Sequence, residues 1–578
     1  MDLKRDVYES MVEWAKGYKK VNALFLKGPR RVGKSYLADK LGKEHFSSYI
    51  HVDFTNEVER KPFMNFRSLD ELFFSLQSNY GKRLYENKSL IILDEIQFCP
   101  EARSLIKPLV ADGRFSYIET GSILGILNKD KQKHFLPSEE HDVNIYPLNF
   151  KEFCYNTGNE EDFNNMAFAV RSGMSLPEGL HLRMMQLFKA YLVVGGMPKV
   201  VETFIESGKS GNLNTSIKVE EIKQDILNLY VQDIGKYSGE EQRKVREIFD
   251  FIPSQLGKPN NRFFLNALNT SFDTKMRNFS EPLDWLRESK TVYECANASD
   301  FQFNLTVNTQ RPFFKLYMAD IGLLVTKTFW EESQRKEDMF SLISKNIGVN
   351  FGMLIENFVA DELASNNRSL FYYSRKNKQM EADFLLRKNL RIYPLEVKSG
   401  NRFTINSLKK IKETYGKLPI FGRQIVLYPG NSKIEDGIFH LPLYACGVLF
   451  GEDDFAKDIK SQMEILNYGK DKAQSMPWRK EDNDNIDLLD YYQVNLGSSP
   501  SFALHLSKGI FQVDDLNTNE LAVYVDKTFG VNGPSFHKRL TIASSNQKEI
   551  YFIMVYRIKE TDNDYVLQYA FYEDLLPR

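Results

Sequence analysis

The spacing of apolar residues divides the chain into stretches of distinct character. Near the start, the run Ala23–Leu26 predicts a strand, followed by a glycine-containing loop and a helical pattern from Lys34 onward. Four consecutive apolar residues, Leu90–Leu93, predict a buried parallel strand, and "FSYIETGS" a third. From about residue 210 the pattern turns mostly helical: Ile222, Ile226, Leu229 and Tyr230 form a stripe at helical spacing, ordinary core material. "NIGVNFGMLIENFVADELASN" predicts a helix with Glu356 near its middle. Glu381–Leu386 and Ile392–Lys398 predict two strands around a polar turn. After a polar stretch punctuated by Gly and Pro, "SPSFALHLSKG" and "NTNELAVYVDKTFG" suggest capped helices, with Ser499 and Asn517 or Asn519 as N-caps. "EIYFIMVYRIKETDNDYVLQYAFYED" suggests a hairpin turning at 560–564.

At 578 residues the chain is too long for one core. The expected divisions are a nucleotide-binding core over 1–160, a helical lid over 161–210 and a helical connector with a small β-ribbon over 211–335. A tail at 336–450, a linker at 451–485 and a compact α+β accessory domain at 486–578 follow. The lid contains Gly195–Pro198, which reads as a helix stopped by two glycines and restarted with a proline in its first turn, hence a hinge.

The loop after the first strand fits G-x-x-x-x-G-K-[ST] at Gly28, Gly33, Lys34 and Ser35. Its glycines let backbone N–H groups turn inward around phosphates at a helix N-terminus. Lys34 would reach the β and γ phosphates of ATP, and the Ser35 hydroxyl would ligate Mg²⁺. The second strand ends in Asp94 and Glu95. Asp94 would hold the Mg²⁺ water shell and Glu95 would orient the attacking water, although strand-ending acids also serve as plain caps. Thr120 and Ser122, ending the third strand, are placed to sense the γ-phosphate; turn chemistry explains a Thr-Gly-Ser equally well. These pieces predict a doubly wound α/β sheet with nucleotide at the carboxyl ends of its strands.

The ordered set "GPRRVGKS", "LIILDEIQ", "ETGS", "YPLNFKEF" and "LFKAYLVVGGMPKVV" resembles AAA-type ATPases with a restriction-endonuclease-like tail, the AAA_14/DUF4143 family, over roughly residues 15–450. The resemblance implies a winged-helix-like connector at 211–335 and a PD-(D/E)xK nuclease-like domain at 336–450. One departure is the absence of any arginine between Ser122 and Tyr146, where relatives carry a basic residue. An arginine finger from that loop is therefore not expected, and Arg114 is a weak substitute.

In the tail, antiparallel pairing of the two strands would set Asp383 opposite Glu396, with Glu396 and Lys398 on one face and Val397 towards the core. Relatives show a similar E-x-D-F-L … P-[IL]-E-V-K. Asp383 and Glu396 would bind Mg²⁺ or Mn²⁺, Glu356 would complete the metal shell, and Lys398 would steady the attacking water or scissile phosphate. Around them, residues 375–423 hold thirteen Lys or Arg against four acids, a phosphate-binding footprint, with Tyr372 and Tyr373 near enough to stack on bases. The same carboxylates could instead be structural partners of the nearby lysines.

A net charge of −1 gives no global attraction to nucleic acid, so binding, to DNA in the first place, must come from that patch. Cys99, Cys154, Cys295 and Cys446 lie far apart, which suggests neither disulfides nor a zinc site and fits a reducing cytoplasm. No apolar run approaches a membrane span, and the charged N-terminus has no signal core. The expected protein is an Mg²⁺-dependent ATPase joined to a nuclease-fold domain that binds or cuts DNA, with genome defence as the setting that the architecture suggests. The rival is a non-cleaving ATP-driven switch; a ring-forming motor is a third reading. Residues 486–578 are expected to meet a protein partner, and the oligomeric state is open.

Overall fold

The computed structural model describes residues 1–450 except 18–20, 122–138, 172–173, 236–238, 259–261, 264, 266–267, 269–277, 303, 347–350, 376–379, 389–390 and 419. Beyond residue 450 it describes the segments 502–506, 509–513, 535–543, 550–559 and 565–572. Ser122, Lys376, Lys378, the linker 451–485 and the helix expected over "NTNELAVYVDKTFG" lie outside the described residues.

Five strands, β1 (Ala23–Lys27), β2 (Ser48–Asp53), β3 (Ser89–Asp94), β4 (Ser116–Gly121) and β5 (Glu140–Asn144), form one sheet in the order β2-β3-β4-β1-β5. All four pairings are parallel. The near-continuous apolar runs of β1 and β3 follow from this, because helices cover both faces and the two faces pack separate cores. The carboxyl ends of β1, β3 and β4 lie side by side, so the loop after β1 meets Asp94 and Thr120.

Lid, connector and tail share one further core, running from Leu148 through the helix Glu178–Val194 and the helix Leu213–Ile234 to Val448. The ribbon β6 (Val292–Ala298) and β7 (Thr309–Met318) is not a unit of its own, as a winged helix would have it. The free edge of β6 pairs in parallel with β8 (Leu370–Arg375), giving a sheet β7-β6-β8-β9 that joins connector to tail, with β9 at Met380–Ala382. A second tail sheet has the order β10-β11-β12-β14-β13, where β10 is Phe384–Lys388, β11 Arg391–Val397, β12 Ile425–Tyr428, β13 Lys433–Glu435 and β14 Ile438–Pro442. The strand expected over Glu381–Leu386 is thus broken at Asp383, one half in each sheet.

The glycine pair in the lid is a clamped joint rather than a free hinge. Gly195 ends its helix and Pro198 opens the next, as the sequence suggests. Yet the Gly196 N–H donates to Asp320 Oδ2 at 2.6 Å, and its carbonyl accepts from the Leu148 N–H at 2.7 Å. A Cβ on Gly196 would lie 2.1 Å from the Leu148 carbonyl oxygen, so only glycine permits this approach. Asp320 also caps the helix Ile321–Thr328 through the Leu323 N–H. The Tyr-Pro-Leu and Gly-Gly-Met-Pro motifs therefore meet at one point, where the parallel-sheet core, lid and connector join.

A second tie between core and tail sets a pH dependence. Glu362 is buried on the helix Gly352–Ser365 and accepts from the Phe150 N–H at 2.7 Å. Burial pushes its carboxyl up to about 8, with Glu152 adding to the rise against the Phe150 hydrogen bond. A raised carboxylate stabilises the fold while protonated, and that contribution is lost as pH climbs from the ordinary carboxylate range through about 8. Glu362→Gln should gain on wild type by on the order of 3 kcal/mol between pH 5 and pH 8.5. Urea melts at the two pH values check this; an unchanged gap would remove Glu362 from the titration.

Beyond the tail, β15 (Phe502–Leu506) pairs antiparallel with β16 (Gly509–Val513). This overturns the helix expected over "SPSFALHLSKG": Phe502, Leu504 and Leu506 recur at period two, and a second apolar run follows within hairpin distance. The hairpin expected further on is present, with β18 (Ile550–Lys559) paired to β19 (Tyr565–Tyr572) and β17 (Ser535–Ala543) added on the other edge. Among the described residues of the accessory region there are strands only, so the α part of the expected α+β domain is not seen in them.

Candidate functional site

The loop after β1 bends sharply. Gly33 has φ 97° and Arg31 φ 65°, and the helix Lys34–His45 starts at once behind them. Lys34 folds back across the loop, its ammonium donating to the carbonyls of Gly28 and Pro29 at 3.0 Å each. Burial holds its pKa down against the pull of Glu95 and Asp94, so this lysine is a poorly solvated cation in want of anions.

Ser35 Oγ donates to the Asp94 carboxylate at 2.9 Å, and Thr120 Oγ1 donates to the same group. The Glu95 N–H donates to Thr120 Oγ1 at 3.2 Å. Glu95 sits at φ 52° directly beyond β3, and its side chain accepts from the Gln97 amide. The structure thus brings Gly28, Gly33, Lys34, Ser35, Asp94, Glu95 and Thr120 together. A hydroxyl and a carboxylate facing one another beside the phosphate loop are the hard oxygen donors Mg²⁺ favours, so Ser35 and Asp94 fit that ion.

Sequence reading missed His51, on β2 beside β3. Its Nε2 lies 3.3 Å from Asp94 Oδ2 and its Nδ1 2.8 Å from Asp39 Oδ1. Burial pulls the imidazole pKa down, but the two carboxylates outweigh it and lift it to about 10. Burial likewise pushes Asp94 up, and His51, Thr120 and Ser35 together bring it below its ordinary value. A histidine facing an acid on the neighbouring strand cannot be read without the pairing register. Arg114, the weak substitute for an arginine finger, is ruled out by position: it precedes β4, at the opposite end of the sheet, and pairs with Asp112 and Asp70.

In the tail, β10 and β11 pair antiparallel with Phe384 opposite Leu395, so Asp383 and Glu396 face each other. Asp383 Oδ2 accepts from the Val397 N–H at 2.8 Å, and Lys398 Nζ donates to Glu396 Oε1 at 2.6 Å. Glu396 Oε2 is buried and takes no hydrogen bond from the described residues. Burial raises the Asp383 pKa well above the ordinary range, and repulsion from Glu396 and Glu356 adds to it against Lys315. Two carboxylates that repel one another, one with an orphaned oxygen, are a fit for one divalent cation.

Glu356 does not join them as a metal ligand. Its Oε1 accepts from Lys315 Nζ at 2.6 Å and from the Tyr317 hydroxyl at 2.5 Å. Lys315 is 1% exposed on β7, and its ammonium is also 3.7 Å from Asp383 Oδ1. The cation facing Glu356 is thus a lysine of the connector, and the expected three-carboxylate shell is not formed. Among the described residues no group of three or more His, Cys, Asp or Glu side chains is placed to hold a metal ion. Tyr372 and Tyr373 are fully buried and cannot stack on bases, because β8 lies inside the sheet joining connector and tail. Arg402, Lys409, Lys412 and Lys417 of the basic stretch are exposed. The four cysteines are free and buried, and no described helix is long and apolar enough to cross a membrane.

Comparison with known proteins adds three family matches. Residues 20–154 match AAA_14, an AAA domain; residues 185–334 match DUF8612 and residues 351–446 match DUF4143, both domains of unknown function. No curated protein matches the chain. Among solved structures, similarity extends to C. elegans PCH-2 at 12% identity, covering 32% of this chain and 59% of that one, under two thirds of its length, with TM-score 0.20. The Thermotoga maritima RuvB Holliday junction branch migration motor matches at 16% identity over 50% of this chain and 89% of that one, TM-score 0.26. The Aeropyrum pernix ORC1 protein, solved in complex with DNA, matches at 12% over 58% and 94%, TM-score 0.22. Scores this low add nothing to the assignment, which rests on the family match and the phosphate-loop geometry: residues 20–154 are an AAA-type ATPase domain.

Proposed function

We propose that the chain is an Mg²⁺-dependent ATPase whose tail carries a nuclease-like centre acting on nucleic acid, DNA in the first place. The observation that carries the second half is the opposition of Asp383 and Glu396 with Lys398 bonded to the latter. At the nucleotide site Lys34 would bind the phosphates, Ser35 and Asp94 would hold Mg²⁺, Thr120 fixes the Asp94 carboxylate, and Glu95 would orient water. In the tail, Asp383 and Glu396 would hold Mg²⁺ or Mn²⁺, which when bound supplies an activated water and neutralises phosphate charge. Lys398 positions that water or the scissile phosphate, and the exposed Arg402, in the segment after β11, is a further cation for the nucleic-acid backbone.

The non-cleaving switch is favoured by a specific observation: Lys315 already neutralises Glu356, which lowers the demand for a metal. Cleavage of supercoiled plasmid and single-stranded DNA in Mg²⁺ or Mn²⁺, with and without ATP, separates the two. Under the nuclease reading wild type cuts, and Asp383→Ala loses at least a hundredfold in rate. Loss in Lys34→Ala as well would make cutting ATP-gated. No cutting under any condition, with hydrolysis of ATP intact, would leave the switch.

A further inference from the structure

The stretch between Ser122 and Tyr146 contains no arginine. Inside the phosphate loop itself stands Arg30, between Gly28 and Gly33. Its Nε lies 3.1 Å from Asp233 Oδ2, with the two side chains 33% and 20% exposed. Asp233 belongs to the last turn of the connector helix Leu213–Ile234. An acid there opposes the helix dipole, whose carboxyl end is already negative, so the pairing with Arg30 offsets a local electrostatic cost. One turn earlier, the buried Tyr230 donates its hydroxyl to the Arg30 carbonyl at 3.4 Å, tying the same helix to the loop backbone.

That helix also reaches the clamped joint. Lys223, fully buried, donates to the Val193 carbonyl at 2.7 Å and to the Gly322 carbonyl at 3.3 Å, and pairs with Glu220. Glu220 in turn accepts from Thr326 at 2.8 Å and Ser333 at 3.0 Å. One rigid element therefore touches the phosphate loop at its carboxyl end and the glycine joint along its length.

We propose that Arg30 is the γ-phosphate's cation, supplied in cis, and that Asp233 is a positioning residue which holds it until a triphosphate arrives. A guanidinium between a carboxylate and a phosphate is shared or exchanged, and the phosphate then repels Asp233. A diphosphate, ending one phosphate short of Arg30, leaves the pair closed. The connector helix thereby reads triphosphate against diphosphate and carries the difference to the joint that binds lid and connector.

The inference rests on the ATPase site and fails separately from it. Binding of a non-hydrolysable ATP analogue and of ADP, each with Mg²⁺, is measured by calorimetry on the full chain. Asp233→Asn should raise the preference for triphosphate over diphosphate by roughly threefold to tenfold, the scale of a partly exposed ion pair. Arg30→Ala should reduce that preference by at least as much, and adding Asp233→Asn to it should change nothing further. Arg30→Lys, which keeps the charge and the fold but not the Nε donor, should fall between. An unchanged ratio in Asp233→Asn, or a wild-type ratio in Arg30→Lys and Arg30→Ala, would overturn the proposal. Loss of all nucleotide binding in Lys34→Ala, beside a wild-type ratio in the Arg30 variants, would leave the ATPase site standing and remove only this inference.

Discussion

Replacing Lys34 with alanine lowers the rate of ATP hydrolysis at least a hundredfold while leaving the fold in place. The ammonium is buried, and its bonds in this structure go to two loop carbonyls, Gly28 and Pro29. Gly28 and Pro29 are buried as well, so loss of the side chain leaves two carbonyls without this donor and lowers stability by about 1–3 kcal/mol, short of unfolding the chain. Phosphate, by contrast, has no equivalent donor: removing one preorganised donor from developing charge costs about 10²–10³ in rate. Phosphate release at saturating Mg²⁺ and ATP measures the first effect, and thermal melting the second. Activity within tenfold of wild type would take Lys34 out of this role.

The largest stability effect is expected at Lys315. Its ammonium and Glu356 form an ion pair with 1% and 6% of the side chains exposed, with the Tyr317 hydroxyl on the same oxygen. Burial pulls the lysine pKa down, and Glu356 and Asp383 overcome it and raise it. Taking away one member of such a pair leaves a buried charge without its partner, at about 3–5 kcal/mol. Lys315→Ala should therefore shift the urea midpoint far more than any exposed lysine of the tail. Lys315→Met with Glu356→Gln removes both charges at similar volume and should restore most of the loss. If the double variant is as unstable as Lys315→Ala, packing rather than charge holds this joint. The outcome also bears on function, since the pair links β7 of the connector to the helix Gly352–Ser365 behind the carboxylates.

Much of the nucleotide site was legible because its chemistry is local. A phosphate loop needs Gly33 at positive φ, a lysine and a hydroxyl on consecutive residues, and a strand end carrying an acid, and each leaves a mark within a few positions. The opposition of Asp383 and Glu396 was equally open to reading, since a hairpin with a short turn fixes its own register. Corrections arose where partners are distant. Tyr372 and Tyr373 look like surface aromatics beside a basic run until β8 is seen to pair with β6, some seventy-five residues earlier. Glu356 looks like a metal ligand until Lys315, forty-one residues away, is found against it.

The chain by itself therefore determined the short-range devices: the loop, the acids at strand ends, the helix break at Gly195 and the hairpin of the tail. Backbone geometry and period-two or helical spacing act over a few residues and need no tertiary partner. Tertiary structure alone decided which charges are spent on one another: His51 on Asp94, Arg30 on Asp233, Lys315 on Glu356. Pairing energy depends on distance and burial, and neither is written in the order of residues.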